Sequence, residues 1–189
     1  RTGEHACLSQ YGPSSNASSY RDGNSGRCKQ RSSWKEDWLA AFQHFSPLFK
    51  RKIDVEVLVE RTRTLSKRSI TVLDQFTQLE KADLETIKRF LWESGQECFS
   101  CIDFGFEAQP GKSAEAVNKA GFGVFNPDDA FQKSRLMRLL IDEEDQRYPN
   151  DYGLLYFHNA WEGDFCVIVM KNGKPVGFGE DGLDAGRFE

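Results

Sequence analysis

The stretch that decides the fold runs from residue 152 to residue 178 and reads YGLLYFHNAWEGDFCVIVMKNGKPVGF. Tyr152–His158 and Phe165–Lys171 are short apolar runs rich in β-branched and aromatic residues, and turn formers bound both of them, which is the pattern of buried strands. Asn172-Gly173 follows the second run. A tight two-residue hairpin needs positive φ at both central positions, and Asn-Gly supplies it with the least strain. The chain then re-enters an extended segment, Pro175–Phe178. The expectation is an antiparallel three-stranded meander, its first connection being Asn159-Ala160-Trp161-Glu162-Gly163.

Upstream of the meander, Asn126-Pro127-Asp128-Asp129 combines a capping side chain, a proline at the first helical position and acids in the first turn. The helix it opens is expected to continue through Phe131, Leu136, Leu139, Leu140 and Ile141. Thr77-x-x-Glu80 reads as a capping box ahead of a helix carrying Leu84, Ile87, Phe90 and Leu91, closed by Gly95. Trp34, Trp38, Leu39, Phe42, Phe45, Leu48 and Phe49 recur at helical spacing and predict an amphipathic helix. Ile53, Val55, Val57 and Val59 alternate with Asp54, Glu56, Leu58 and Glu60, a half-buried strand that Ser69–Leu73 would partner. Residues 98–106 alternate again, and 108–119 read as a loop. The whole is an α+β domain over 34–189: an antiparallel sheet with a C-terminal meander, packed against about three helices. Residues 1–33, rich in Ser, Gly, Asn and Arg, lack the apolar residues to offset the entropy of ordering and read as a flexible leader.

The chain has 189 residues, of which 39% are hydrophobic and 29% charged, enough for one domain with its own core. No apolar run reaches membrane-spanning length, and the first residues, RTGEHACLSQYG, show no signal-peptide core. The five cysteines are an odd, sparse set, which argues for a reducing, cytoplasmic setting over a disulfide framework. A net charge of −4 disfavours nucleic acid as the partner.

Several motifs fail on context. Gly177-x-Gly179-x-x-Gly182 has the spacing of a dinucleotide fingerprint but no following helix to hold a pyrophosphate. Gly111-Lys112-Ser113 ends like a phosphate loop, yet its preceding glycine, Gly105, is one residue too far away. Cys98-x-x-Cys101 falls in the alternating run, where the two thiols would point to opposite faces and neither bridge nor share a metal. A Cys166–His158 nucleophile pair is conceivable, but the spacing does not require it.

The acids are unevenly placed. Residues 1–75 hold 13 bases and 8 acids, while 76–189 hold 12 bases and 21 acids, so a net +5 precedes a net −9. Asp142, Glu143, Glu144 and Asp145 form a run expected to close a helix, and Glu162 and Asp164 flank the glycine of the strand connection beside Trp161. An indole in that connection either covers the end of the core or projects as an anchor amid the acids. The site expected from these residues is Trp161, Glu162, Asp164, Asp142, Glu143, Glu144, Asp145 and His158. It would bind a basic protein, with no cofactor, metal or catalytic group, and with neither nucleic acid nor membrane as partner.

The order Val124-Phe125-Asn126-Pro127-Asp128-Asp129-Ala130, then Ile141-Asp142-Glu143-Glu144, then Phe157-x-x-x-Trp161-Glu162-x-Asp164-Phe165 ahead of Lys171-Asn172-Gly173-Lys174, resembles small bacterial α+β domains of the polymorphic-toxin immunity type. The resemblance spans about Thr77 to Phe178. It departs at Phe165, where members carry a histidine after the acid pair. It implies a non-catalytic inhibitor that masks a toxin's active site. Two other readings stay open: a small hydrolase or metal-dependent enzyme using His158, Glu162 and Asp164, and a phage or virion accessory module.

Overall fold

A computed structural model of the chain describes residues 37–60, 65–143, 148–161, 163 and 165–189. The expected leader, 1–33, and Trp34 lie outside them. One six-stranded sheet organises the rest, with its strands in chain order: β1 (Asp37–Ser46), β2 (Arg51–Glu60), β3 (Ser134–Asp142), β4 (Tyr152–Asn159), β5 (Phe165–Lys171) and β6 (Lys174–Gly179). All neighbours are antiparallel except β2 and β3. A parallel pair needs a long crossover, and this one carries four helices: α1 (Lys67–Thr77), α2 (Lys81–Cys101), α3 (Ala114–Phe122) and α4 (Pro127–Gln132).

The meander stands as expected, and its turn shows why: Asn172 and Gly173 sit at φ 48° and 76°. The β2 strand is also as expected. Asn126 accepts a hydrogen bond from the Asp129 N–H and Pro127 opens α4.

Several expectations are corrected. Residues 37–46 are strand β1, not helix. Ala40 and Phe42 pack into the core while Phe45 points outward, so an apolar residue on the solvent side mimics helical spacing. Residues 69–73 belong to α1, capped by the Ser66 hydroxyl, with Val72 and Phe76 turned to the sheet. The α4 helix ends at Gln132, and Leu136, Leu139 and Ile141 are alternate core positions of β3, where a bulge at Met137 breaks the period of two. Finally, α2 runs through Gly95 to Cys101, and α3 occupies part of the expected loop, with Ser113 as its N-cap and Gly123 at φ 66° as its left-handed C-cap.

The capping box of α2 lies three residues beyond the predicted one: Glu80 caps, and Asp83 accepts from the Glu80 N–H at 2.9 Å. Asp83 is buried and meets Lys174 at 3.0 Å, tying α2 to β6. The other end of α2 is closed by Asn118, whose amide donates to the Phe99 and Ile102 carbonyls, both at 3.0 Å.

All four helices cover one face of the sheet, where Val55, Val57, Phe76, Leu91, Phe99, Leu139, Phe157 and Ile168 form the main core. A smaller core lies on the far face. Tyr152, Leu154, Tyr156, Val167 and Val169 are covered there by Tyr148, Leu183 and a C-terminal 3-10 turn, Ala185–Phe188. Gly177 belongs to this second core, since an added Cβ would strike the Phe188 ring, so its place in the G-x-G-x-x-G pattern is a packing requirement. No helix among the described residues is long and apolar enough to cross a membrane.

Candidate functional site

The residues expected to act together are dispersed. Trp161 is 4% exposed, its indole 5.6 Å from the Phe99 ring and close against Gly95, where a Cβ would lie 3.3 Å from it. It therefore closes the end of the main core and is not a surface anchor. Its Nε1 is buried with no hydrogen-bond partner among the described residues. Glu143 caps α1, accepting from the Ser66 N–H at 3.0 Å and the Ser69 hydroxyl at 2.7 Å. Asp142 is the last residue of β3, so the acidic run follows a strand rather than closing a helix. Glu144, Asp145, Glu162 and Asp164 lie outside the described residues.

His158 is exposed on the far face, beside Phe165, its register partner on β5 (ring centroids 6.4 Å apart). Cys166 is buried toward the helices. Adjacent strand positions alternate between faces, so His158 and Cys166 are on opposite sides of the sheet and form no catalytic pair. Cys98 and Cys101 occupy the last turn of α2, not a strand. Their three-residue spacing places them on one side of the helix, so the opposite-faces argument does not apply to them.

The far face itself offers a more coherent surface. Strands β4 to β6 are covered by the C-terminal turn, whereas no residue of this second core lies over β1 or β2 among the described residues. Phe45 is 55% exposed and Leu58 36%, the latter in register with Leu39. Between them on β2 stand Lys52, Asp54 and Glu56, with Gln43 donating to Asp54 at 3.0 Å. Asp142, the last residue of β3, is the register partner of Leu58 and stands at the corner of this half.

A ladder of charged and aromatic groups marks the boundary between the open and covered halves. Arg138 meets Glu56 at 3.1 Å, lies 4.3 Å over the Tyr156 ring and is 5.7 Å from that of Phe165. The Arg138 Nε is buried with no partner among the described residues. Burial pushes the Tyr156 phenol above its ordinary range, a hydrogen bond and the charge of Asp181 push it further, and Arg138 pulls the other way. Guanidinium stacking on two rings fixes Arg138 in an orientation a lysine would not hold. Sequence reasoning missed Arg138, Tyr156, Phe45 and Leu58. The available signal was Leu58, an apolar residue at an outward position of an otherwise alternating strand.

Among the described residues no cluster of His, Cys, Asp and Glu could hold a metal ion. No family model, curated protein or solved structure matches the chain.

Proposed function

We propose that this protein is a non-catalytic protein-binding domain, an inhibitor of the immunity type that its sequence resembles, and that it docks a basic partner on the open half of the sheet. The observation that carries this reading is the uneven cover of the far face. The C-terminal turn seals β4 to β6, while Phe45 and Leu58 stay in solvent among Asp54, Glu56 and Asp142. Apolar side chains ringed by charge form the composition of a hot spot with its polar rim. The net −9 of residues 76–189 supplies the long-range field that steers a cationic protein to it.

The reading is tested in cells that express the products of the reading frames adjacent to this gene. An adjacent toxic product should be neutralised by the wild-type chain and should escape the double variant Phe45→Lys, Leu58→Lys. Because both side chains are exposed, the variant should melt with the wild type. Full protection by the folded double variant would refute docking on this face.

A further inference from the structure

At the end of the sheet where β1 turns into β2, three aromatic rings gather around a cleft of about 290 Å³. Phe49 from the turn stands 6.4 Å from Phe131 of α4 and 6.3 Å from Phe157 of β4, and all three line the cleft. Three cations stand at its rim: Lys50 from the turn, Arg51 at the start of β2 and Arg135 at the start of β3. None of the three forms a salt bridge among the described residues. Arg51 donates one nitrogen to the Leu136 carbonyl at 2.6 Å, which holds its guanidinium at the cleft. Burial and the neighbouring Arg135 charge both depress its pKa, so two like charges are kept together in a partly dry site. Lys50 keeps a left-handed backbone, φ 52°, that a lysine seldom adopts. Stability alone favours separating such charges or pairing them with carboxylates.

We propose that this cleft is a binding site for a carboxylate carried on an apolar body, the body lying against Phe49 and Phe131 above the buried Phe157 ring, and the carboxylate seated between Arg51 and Arg135. The planar fork of a guanidinium matches the two oxygens of a carboxylate. The volume is at the small end of ligand pockets, which limits the body to about one aromatic side chain. The carboxylate has two sources, a free aryl-alkyl acid or the C-terminal residue of a peptide chain. Neither depends on the docking face described above.

Calorimetric and NMR titration of the whole protein with 3-phenylpropionate, and with a tetrapeptide ending in phenylalanine with a free carboxylate, tests the site. Amide shifts should concentrate at Phe49–Arg51 and Arg135–Leu136. The neutral analogues, 3-phenylpropanol and the C-terminally amidated peptide, should bind roughly tenfold more weakly or not at all, as expected for loss of a charge-assisted hydrogen bond. Arg135→Gln, an exposed change, should weaken both carboxylates by a similar factor while leaving the melting temperature in place. The tighter of the two carboxylates identifies the source. Equal binding of charged and neutral probes would overturn the proposal. So would indifference to Arg135→Gln in a folded variant, or no saturable binding of either carboxylate up to about 10 mM, weaker than a seated ligand of this size should bind.

Discussion

Strands β4 and β5 are buried on both faces, while β1 and β2 are buried on one. The two halves share a sheet and a helical layer, and they differ in what the far face meets. Over β4 and β5 lies a second core, with Phe188, Leu183 and Ala185 against Tyr152, Leu154 and Val169, and Lys171 donating to the Phe188 carbonyl at 2.8 Å. Over β1 and β2 the described residues place nothing comparable. A strand covered on both sides must be apolar at nearly every position, whereas a strand covered on one side alternates, and any apolar residue on its open side needs another reason. Phe45 and Leu58 are such residues, which is why the open half carries the functional reading.

The comparison can be broken from the core side first. Trp161 belongs to the helix-side core, so Trp161→Ala should lower unfolding free energy by about 3–5 kcal/mol, measured by urea denaturation. Trp161→Phe, which keeps an aromatic ring against Phe99, should retain most of that stability. If Trp161→Ala cost less than about 1 kcal/mol, the indole would not be acting as core.

The next largest effect concerns the cover itself. Phe188→Ala should cost about 1–3 kcal/mol, less than a fully buried ring because Phe188 is only half-buried. Gly177→Val should have a similar effect through displacement of the same ring. Both changes should raise hydrogen exchange in β5 and β6 and leave β1 and β2 unaffected. Uniform loss of protection would mean that the two halves unfold as one unit.

The same asymmetry explains how much of the molecule was legible in the sequence. The meander was readable because double burial left long apolar runs and Asn172-Gly173 fixed its turn. The open half was not. In β1, outward-facing Phe45 blurred the period of two, and in β3 the bulge at Met137 put Leu139 three residues from Leu136, a helical spacing. Gly95 looked like a helix end, yet it is a mid-helix position kept small for Trp161, a contact 66 residues away in sequence that no local pattern reports. The candidate site suffered in the same way. Glu143 looked free and is a helix cap, and Arg138 gains its meaning only from Tyr156 and Phe165 on neighbouring strands.

A subtler effect lies at the boundary between the halves. The Tyr156 phenol titrates above its unfolded value, so the folded state holds that proton when the unfolded chain releases it. Its contribution is therefore fully present below about pH 10, the unfolded tyrosine value, and is lost as pH rises through the higher folded value. Melting temperature should fall above about pH 10, and less steeply in Tyr156→Phe than in the wild type. Parallel slopes for the two proteins would show that the phenol has no linkage to folding.

The smallest expected effect on stability is the most informative about function. Phe45 is exposed on an edge strand, its register partner is Lys52, and its ring belongs to neither core. Phe45→Ser should therefore change unfolding free energy by less than about 0.5 kcal/mol. A partner that buries this ring should nonetheless lose roughly 2 kcal/mol of affinity, chiefly through faster dissociation. Charge reversal at Asp54 beside it should act on the other arm of the kinetics, slowing association with a basic partner at low salt and much less above physiological ionic strength. The two variants thus separate anchor from field. An edge strand with an exposed aromatic also invites pairing with another copy of itself, so sedimentation of the wild type and Phe45→Ser at equal concentration belongs in the same experiment. A shift from dimer to monomer on substitution, with no change in binding of a basic partner, would assign the open half to self-association and remove it from partner recognition.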